Sequence, residues 1–563
     1  MTDIHSNEST NTATPVFGID LGTTYSCIAY IDEFGKPVVP ANELGDHTTP
    51  SVIYFESAEN RVIGKEAKNN AVLFPDNVVE MVKRQMGLAG WSFTYEDVQY
   101  SAEEISSYIL RKLVDDAQAA TGHTITDVVI TCPAYFGINE REATAKAGEI
   151  AGLNVRNVLN EPTAAAISYG MDTSANQVIL VYDLGGGTFD CTMIEIHGGN
   201  ITTIATGGDY NLGGRNWDEA IVKYLAEEWM RLAGSDDDPM DDPETLQDLW
   251  MRAEDAKKSL TPRNKATVAV AHVGNRQRVE LTREKFEALT EHLLQTTIDY
   301  THKMLEEAKK KGIEEFDQIL LVGGSTKMPC VSQRLQAEFG KEPLLFDPDE
   351  SVAKGAALFG QKLSIEEAVD AEIERKKEEL GIDDDSPALM PSLRESAEQE
   401  VADQLGVTKE SVAKQYNTKI VNVSSHSFGM VAVADKATME EKVFNLILMN
   451  APVPADVTRN FYTLEDNQYN VEIKIMENIL SDDQVEIPLC EKIGDALLPL
   501  PKGLPERAPI EVTFQLNEQG RLHVLAREVS QNFTIEVEID TSRIISQELL
   551  EEAKARSTQI VIS

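Results

Sequence analysis

One stretch combines an acid, three glycines and a hydroxyl directly after an apolar run: residues 178–190, VILVYDLGGGTFD. The apolar and mostly β-branched residues 178–181 predict a strand, and Asp183 would lie at its carboxyl end. Since glycine has no Cβ, the backbone amides after Asp183 can face one concavity and approach an anion closely. Taken alone, such a run is more often an ordinary hairpin turn.

The same pattern occurs twice in the chain. Residues 16–27, VFGIDLGTTYSC, match residues 181–191, VYDLGGGTFDC, from the acid to the cysteine, with one extra glycine in the second copy. The repeat predicts two related half-domains. A third glycine turn, at 322–326, follows the apolar run 319–322. Three such turns at strand ends would enclose a nucleotide from both sides.

Alternating strands and helices are predicted around these turns. Ser101 and Glu104 form a capping box that begins a helix, a buried strand follows at 128–130, and a last helix ends near residue 363. This alternation is typical of an α/β domain. From residue 422 the apolar period changes to two, and 510–526 predict a β-hairpin with one buried face.

Length and charge limit the classes of function. At 563 residues the chain is long enough for three or four units at roughly 150 residues each. The formal net charge of -43 disfavours nucleic acid and anionic membrane surfaces as partners. A solvated acidic surface without any partner explains the charge equally well.

The five cysteines form no CxxC pair and lie mostly in strand-like stretches, which indicates core residues in a reducing compartment. No apolar run of about 18 residues is present, so no membrane span is predicted. Residues 1–14 are polar and lack the regions of a signal peptide. We therefore expect a disordered leader and a cytoplasmic protein.

Several motifs in fixed order resemble those of the 70-kilodalton heat-shock chaperone family. They are the two phosphate turns together with TCPAYF at 131–136, NEPTAAA at 160–166 and GGST at 323–326. The resemblance is strong over 16–363 and weaker from 422. It implies an actin-like, two-lobed ATPase domain with duplicated ribonuclease H-like halves, followed by a mainly antiparallel β-sandwich. It also implies roles in protein folding and the stress response.

The resemblance assigns slow ATP hydrolysis to four residues. Lys83 would place positive charge near the γ-phosphate, Glu161 and Asp183 would bind the attacking water, and Thr188 would offer a hydroxyl. ATP or ADP would bind with Mg²⁺, held through water by Asp20 and Asp183, and K⁺ is a second candidate ion. The residues assigned to nucleotide binding are Asp20, Gly22, Thr23, Thr24, Tyr25, Gly185, Gly186, Gly187, Thr188, Gly213, Gly214, Glu254, Lys257, Lys258, Thr261, Gly323, Gly324, Ser325, Lys327 and Asp349.

Two of these residues depart from the family pattern. Lys258 and Lys327 stand where family members often carry arginine, whose planar guanidinium stacks on a ring as an ammonium cannot. Looser binding of adenine is therefore expected.

The predicted units are a leader at 1–15, the ATPase domain at 16–363, a charged helical insert at 364–416, a β-sandwich at 417–542 and a short tail at 543–563. The insert is expected to be two helices and a turn, and it is either a spacer or a regulatory element. It replaces the family's short leucine-rich linker, for which only 420–423 remains as a candidate. The family's helical lid has no counterpart in the tail.

In the sandwich, the resemblance places an extended peptide in an apolar channel. The channel residues would be Met430, Val433, Phe461, Leu464, Val471 and Ile473. Plain sandwich core explains each of these residues equally well. Pro133 and Arg141 match the family's allosteric relay.

We therefore expect an ATP-dependent chaperone that binds apolar segments of unfolded polypeptides. A J-domain co-chaperone and a nucleotide exchange factor would be its partners. One alternative is an ATP-regulated scaffold that binds one specific protein. A small-molecule kinase of the same superfold is the other, and it would not explain the sandwich.

Overall fold

The computed structural model describes residues 15–88, 90–172, 176–381, 389–529, 533–538 and 547–563. The predicted leader therefore lies outside the described residues, apart from its last position.

The first lobe is built on a six-stranded sheet in the order β11-β10-β1-β2-β3, with β4 paired to β2. Its strands are β1 (Phe17–Asp20), β2 (Tyr25–Ile31), β3 (Pro37–Val38), β4 (Thr49–Pro50), β5 (Ile53–Phe55), β6 (Asn60–Ile63), β7 (Val78–Val79), β8 (Phe93–Tyr95), β9 (Val98–Tyr100), β10 (Asp127–Cys132) and β11 (Asn154–Asn160). Its helices are α1 (Lys65–Asn70), α2 (Ala102–Thr121), α3 (Ile138–Ile150) and α4 (Glu161–Asp172). Short 3₁₀ helices lie at Pro75–Asn77 and Val82–Gln85.

The second lobe repeats the plan around a sheet in the order β18-β17-β12-β13-β14, which continues into the segment after the insert. Its strands are β12 (Gln177–Leu184), β13 (Phe189–His197), β14 (Asn200–Asp209), β15 (Lys265–His272), β16 (Asn275–Thr282), β17 (Gln318–Val322) and β18 (Leu344–Leu345). Its helices are α5 (Gly214–Ala233), α6 (Pro243–Leu260), α7 (Arg283–Lys310) and α8 (Pro329–Phe339), and α9 (Ser351–Leu380) returns to pack on β1, β2 and β10 of the first lobe. Further 3₁₀ helices lie at Pro239–Asp241 and Gly324–Lys327.

In each of these sheets, the strand that comes first in the chain ends in a phosphate turn. Strand β1 pairs antiparallel with β2 and parallel with β10, and β12 pairs in the same way with β13 and β17. The two turns therefore lie at equivalent positions of the two lobes. Helices α4 and α9 pack between the sheets, where Gly355 lies so close to Ala164 that a Cβ would come within 1.8 Å of its carbonyl oxygen.

The last helix of the ATPase domain is longer than the sequence predicted. We expected it to end near residue 363, but α9 continues to Leu380 and ends at Gly381, whose φ is 64°. Ile365, Val369 and Ile373 recur every fourth residue, so one apolar face of the helix continues past the predicted end.

The insert folds against this extension. Helices α10 (Met390–Leu405) and α11 (Lys409–Asn417) pack on α9 around a small core of their own, which includes Ala397, Val401 and Val412. The Tyr416 hydroxyl donates to Asp370 at 2.7 Å, which fixes the end of α11 to α9. The described part of the insert is thus a packed three-helix element.

The segment after α11 joins the second lobe. Strand β19 (Ile420–Val423) pairs parallel with β14, with Ile420 beside Ile201, and antiparallel with β22 (Pro452–Val453). The candidate linker is therefore a strand of the ATPase sheet, and β22 forms the edge beyond it.

The sandwich consists of a five-stranded and a four-stranded sheet, in the orders β25-β21-β20-β24-β26 and β23-β27-β28-β29. All pairings within these two sheets are antiparallel. The strands are β20 (Ser427–Asp435), β21 (Glu440–Ile447), β23 (Ala455–Tyr462), β24 (Asn470–Asn478), β25 (Gln484–Val485), β26 (Glu491–Pro499), β27 (Pro509–Leu516), β28 (Leu522–Glu528) and β29 (Phe533–Glu538), with a 3₁₀ helix at Ile487–Leu489.

The C-terminal segment returns to the first lobe. Helix α12 (Gln547–Gln559) packs Leu550 and Ala553 against Ile150 of α3, and strand β30 (Val561–Ile562) pairs parallel with β6. Arg556 forms an ion pair with buried Glu104 at 2.7 Å. Among the described residues, none of the helices has the length and apolar character needed to span a bilayer.

Candidate functional site

The two phosphate turns face each other across the cleft between the lobes. A Cβ on Gly186 would lie 1.8 Å from the Thr24 hydroxyl, and one on Gly187 would lie 2.3 Å from the Thr23 side chain. Gly22, in the first turn, donates its amide to the Ser26 hydroxyl at 3.1 Å and accepts from the Ser51 hydroxyl at 2.7 Å. Glycine is thus required where the turns approach each other most closely.

A cavity of about 500 Å³ opens between these turns. This volume lies within the range of small-molecule sites. Most of the nucleotide-binding residues predicted from the sequence line it. They are Asp20, Gly22, Thr23, Thr24, Tyr25, Gly185, Gly186, Thr188, Glu254, Lys257, Lys258, Thr261, Gly323, Gly324, Ser325, Lys327 and Asp349, together with Lys83, Glu161 and Asp183.

Three of the residues predicted to bind the nucleotide lie behind the wall of the cavity. Gly213 packs against the peptide bond between Gly187 and Thr188, and a Cβ on it would come within 2.6 Å of the Thr188 nitrogen. Gly214 similarly lies against the Ser325 hydroxyl. Gly187, Gly213 and Gly214 therefore shape the second turn from outside the cavity.

At one end of the cavity a single lysine lies among several acids. The Lys83 ammonium donates a short hydrogen bond to Glu161, and both side chains are buried. Burial alone would lower the pKa of Lys83, but the carboxylates of Glu161 and Asp20 raise it above its usual value. Lys83 therefore keeps its positive charge inside the site.

The acids around Lys83 carry an excess of negative charge. Burial, and then the Glu161 carboxylate, raise the pKa of Asp20 to about 7, while Lys83 lowers it. Burial and the neighbouring carboxylates also raise the pKa of Asp183 and of Asp190 well above the usual range. A cation between Asp20 and Asp183 would relieve this repulsion.

Such a cation would be held mainly by water. Among the residues described, no group of three or more His, Cys, Asp or Glu side chains is placed to hold a metal ion. Mg²⁺ fits Asp20 and Asp183, because it keeps several waters and binds through one or two carboxylates plus substrate phosphates.

At the other end of the cavity, Glu254 joins the two lobes. It accepts a short hydrogen bond from Lys68 of α1 and binds Lys258 at 2.7 Å. Burial opposes ionisation of Glu254, but these two ammonium groups lower its pKa to about 2. Lys258 also donates to the Tyr25 hydroxyl at 2.8 Å, and Lys327 pairs with Asp349. Both lysines that replace the family's arginines therefore have acidic partners.

The sequence did not predict several cavity residues. Lys68, Glu80, Arg215 and Asp218 line the cavity without belonging to a glycine turn. Lys68 and Glu254 are 186 positions apart, and the local pattern around Lys68 is that of an ordinary polar helix. Only the opposition of α1 and α6 across the cleft brings this pair together.

A family model described as Hsp70 protein matches residues 16–374 and 402–560. The chain belongs to the Hsp70 family. The fold predicted from the sequence, an actin-like two-lobed ATPase followed by a β-sandwich, is thereby confirmed. Hsp70 proteins are ATP-dependent chaperones that hydrolyse ATP with Mg²⁺ and bind polypeptides and co-chaperones, and this general function applies to the chain. Residues 375–401, in the insert, lie outside the match.

The residues expected to form the Hsp70 relay lie where the sandwich meets the first lobe. Arg141 donates to the carbonyl of Phe136 at 3.1 Å and to the side chain of Asn160, which precedes Glu161. The same Phe136 carbonyl accepts from the Ser425 hydroxyl at 2.9 Å. Pro133 is buried at the start of this loop. A continuous set of contacts thus leads from the cavity to the segment after β19.

The six residues expected to line a peptide channel have different surroundings. Met430 and Ile473 are 2% and 0% exposed in the core between the two sheets. Phe461 and Val471 are half-buried at the edge of that core, and Val433 and Leu464 are also half-buried.

A charged cluster lies at the interface between the sandwich and the first lobe. His426 and Glu477 of the sandwich form an ion pair in contact with Gly137, and the facing groups are Glu140 and Arg141 of α3 and Glu491 of β26. Burial alone would lower the pKa of His426, but Glu477 raises it above the usual value. Burial and Glu477 also raise the pKa values of Glu140 and Glu491. Because His426 and Glu477 belong to the same sandwich, their pair persists when the sandwich undocks. Docking itself buries Glu140 of α3 beside Glu477, and this favours protonation of Glu140.

We expect docking to weaken as the pH rises. The contribution of Glu140 is complete below the ordinary pKa of a glutamate, about 4.3, and is lost as the pH rises through the raised pKa of the docked state. Energy transfer between labels on the first lobe and the sandwich would measure docking from pH 4 to 8. In a Glu140→Gln control, the side chain keeps its shape but cannot ionise, so the pH dependence should decrease. An equal pH dependence in both proteins would contradict this role of Glu140.

Proposed function

We propose that this chain hydrolyses ATP in the cleft and uses the nucleotide state to control binding of extended apolar peptide segments by the sandwich. The observation that carries the proposal is the convergence of Lys83, Glu161, Asp183 and the two facing phosphate turns on one cavity. Phosphoryl transfer needs positioning and electrostatic stabilisation, and these groups can supply both.

In the proposed mechanism, Glu161 orients Lys83, and the Lys83 ammonium stabilises negative charge that develops on the γ-phosphate. Glu161 and Asp183 accept hydrogen bonds from the attacking water. Asp20 and Asp183 would hold Mg²⁺ through water, and the ion would supply further charge neutralisation. The facing turns bind the phosphates through backbone amides.

For the sandwich, we propose a peptide channel bordered by Val433, Phe461, Leu464 and Val471, with Met430 and Ile473 at its base. This follows from the family match and from the half-buried state of the first four side chains. Polypeptide clients, a J-domain co-chaperone, an exchange factor and a cytoplasmic location belong to the same proposal.

The test is whether unfolded apolar peptides accelerate ATP hydrolysis by the full chain. Stimulation that saturates with peptide concentration is expected. Binding of peptide without any effect on hydrolysis would contradict the coupling.

A scaffold that binds one folded partner is the second candidate. It is favoured by the packed insert, which fixes the start of the linker strand through Tyr416 and Asp370. A sandwich held in this way would go through cycles of client binding and release inefficiently. Failure of every unfolded peptide to bind would favour the scaffold.

We expect Thr188→Ala to slow hydrolysis by about 10²-fold, because the variant loses a hydroxyl donor to the charge that develops on phosphate. Thr188 is buried and lines the cavity beside the second turn. Single-turnover hydrolysis measures the effect, and Thr188→Ser, which keeps the hydroxyl, should remain near the wild-type rate. An unchanged rate in Thr188→Ala would mean that this side chain shapes the turn and takes no part in hydrolysis.

A further inference from the structure

The carbonyl groups of the three glycines in the second phosphate turn all accept hydrogen bonds from other parts of the protein. The Gly185 carbonyl accepts from the amide of Gly214 and from the hydroxyl of Ser325, both at 2.9 Å. The Gly186 carbonyl accepts from the amide of Arg215 at 2.8 Å. The Gly187 carbonyl accepts from Nε of Arg84 at 3.0 Å and from its Nη2 at 2.5 Å.

These contacts fix the direction of the amides. In one peptide plane the C=O and the following N–H point in opposite directions, so the amides of Gly186, Gly187 and Thr188 point away from these partners. No hydrogen-bond acceptor for these three amides is found within the part of the chain that the structure describes. Successive free amides of this kind form an anion-binding concavity.

The partners come from different lobes. Gly214, Arg215 and Ser325 belong to the second lobe, like the turn itself. Arg84 lies in the 3₁₀ helix Val82–Gln85 of the first lobe, directly after Lys83. It also donates to the carbonyl of Asn211 at 3.1 Å. Arg84 therefore holds the peptide plane between Gly187 and Thr188 from the opposite lobe.

We propose that Arg84 is a positioning residue for hydrolysis. It holds the Gly187 carbonyl so that the Thr188 amide is directed at the γ-phosphate only when the lobes are closed. Because Lys83 and Arg84 are adjacent, one segment of the first lobe brings the ammonium group to the cavity and aligns the opposite turn in the same movement. This inference rests on the proposed ATP hydrolysis and adds the residue that links lobe closure to it.

Arg84→Ala is expected to slow single-turnover hydrolysis by about 10²-fold, the effect of misplacing a group by about 1 Å. Affinity for ADP, which lacks the γ-phosphate, should change much less than the rate. Arg84→Lys should recover part of the rate, and added guanidinium, below concentrations that unfold the chain, should partly rescue Arg84→Ala. The matched control is Arg231→Ala, since Arg231 forms an exposed pair with Glu228 on the same lobe that Arg84 contacts.

The outcomes separate the two proposals. If the wild-type chain hydrolyses no ATP, both the proposed function and the role of Arg84 are overturned. If the wild type hydrolyses ATP and Arg84→Ala does so equally fast, the role of Arg84 alone is overturned. A loss of rate that guanidinium does not restore, with a parallel loss of ADP affinity and melting temperature, would also overturn it, because general destabilisation would then explain the variant.

Discussion

Replacement of Lys83 by alanine should abolish ATP hydrolysis and leave nucleotide binding largely intact. Lys83 contacts Glu161 at the phosphate end of the cavity, whereas Glu254 and Lys258 at the other end are untouched by the change. Without the ammonium, nothing on this side chain stabilises charge on the γ-phosphate, so a loss of about 10³-fold or more in single-turnover rate is expected.

The same variant should change the charge state of the site. Lys83 lowers the pKa values of Asp20 and Asp183, which burial and Glu161 raise. Its removal should raise both pKa values further, so residual activity should require a higher pH than in the wild type. Lys223→Ala, which breaks an exposed pair with Glu219, is the control. Hydrolysis by Lys83→Ala at an undiminished rate would remove Lys83 from the mechanism.

The second large effect is expected at the linker strand. Changing Ile420 and Val421 together to Asp should detach β19 from the second lobe, because both residues pair with β14 and Ile420 packs against the core between the lobes. Two carboxylates cannot be buried there without losing hydration. The nucleotide effect on peptide affinity, about 1–3 kcal/mol in a typical coupled system, should then disappear.

Peptide dissociation followed by fluorescence, with ADP and with ATP, measures this coupling, because affinity changes appear mostly in the off-rate. In the wild type, we expect faster release with ATP than with ADP. The control is Ile420→Val with Val421→Ile, which keeps β-branched residues in the strand. Equal rates in both nucleotides in the wild type would favour the scaffold.

The parts of the site that depend on local geometry were predictable from the sequence. A backbone that approaches another backbone closely needs residues without Cβ, and Gly22, Gly186 and Gly187 occur where such approaches take place. Asp20 and Asp183 could be placed because each ends a recognisable apolar strand. The assigned catalytic and binding roles of these residues remain predictions.

The parts that depend on distant contacts were not predictable. Arg84 has no local signal, since its partner Gly187 lies 103 positions away. The length of α9 was underestimated, because the contacts of its last turns are with the distant helices α10 and α11 of the insert. Docking of β30 could not be foreseen, because a two-residue strand carries too little pattern to indicate its partner.

The position of α12 and β30 on the first lobe makes the attachment of the sandwich bivalent. Besides the direct contact of the sandwich with Gly137, one attachment is β19 on the second lobe, which precedes the sandwich, and the other is the C-terminal segment on β6, α2 and α3, which follows it. When one contact opens, the other keeps the sandwich at a high effective concentration near its site, so the open contact reforms rapidly. Full separation then requires both contacts to be open at once. A signal that weakens only one of them would loosen the sandwich without freeing it.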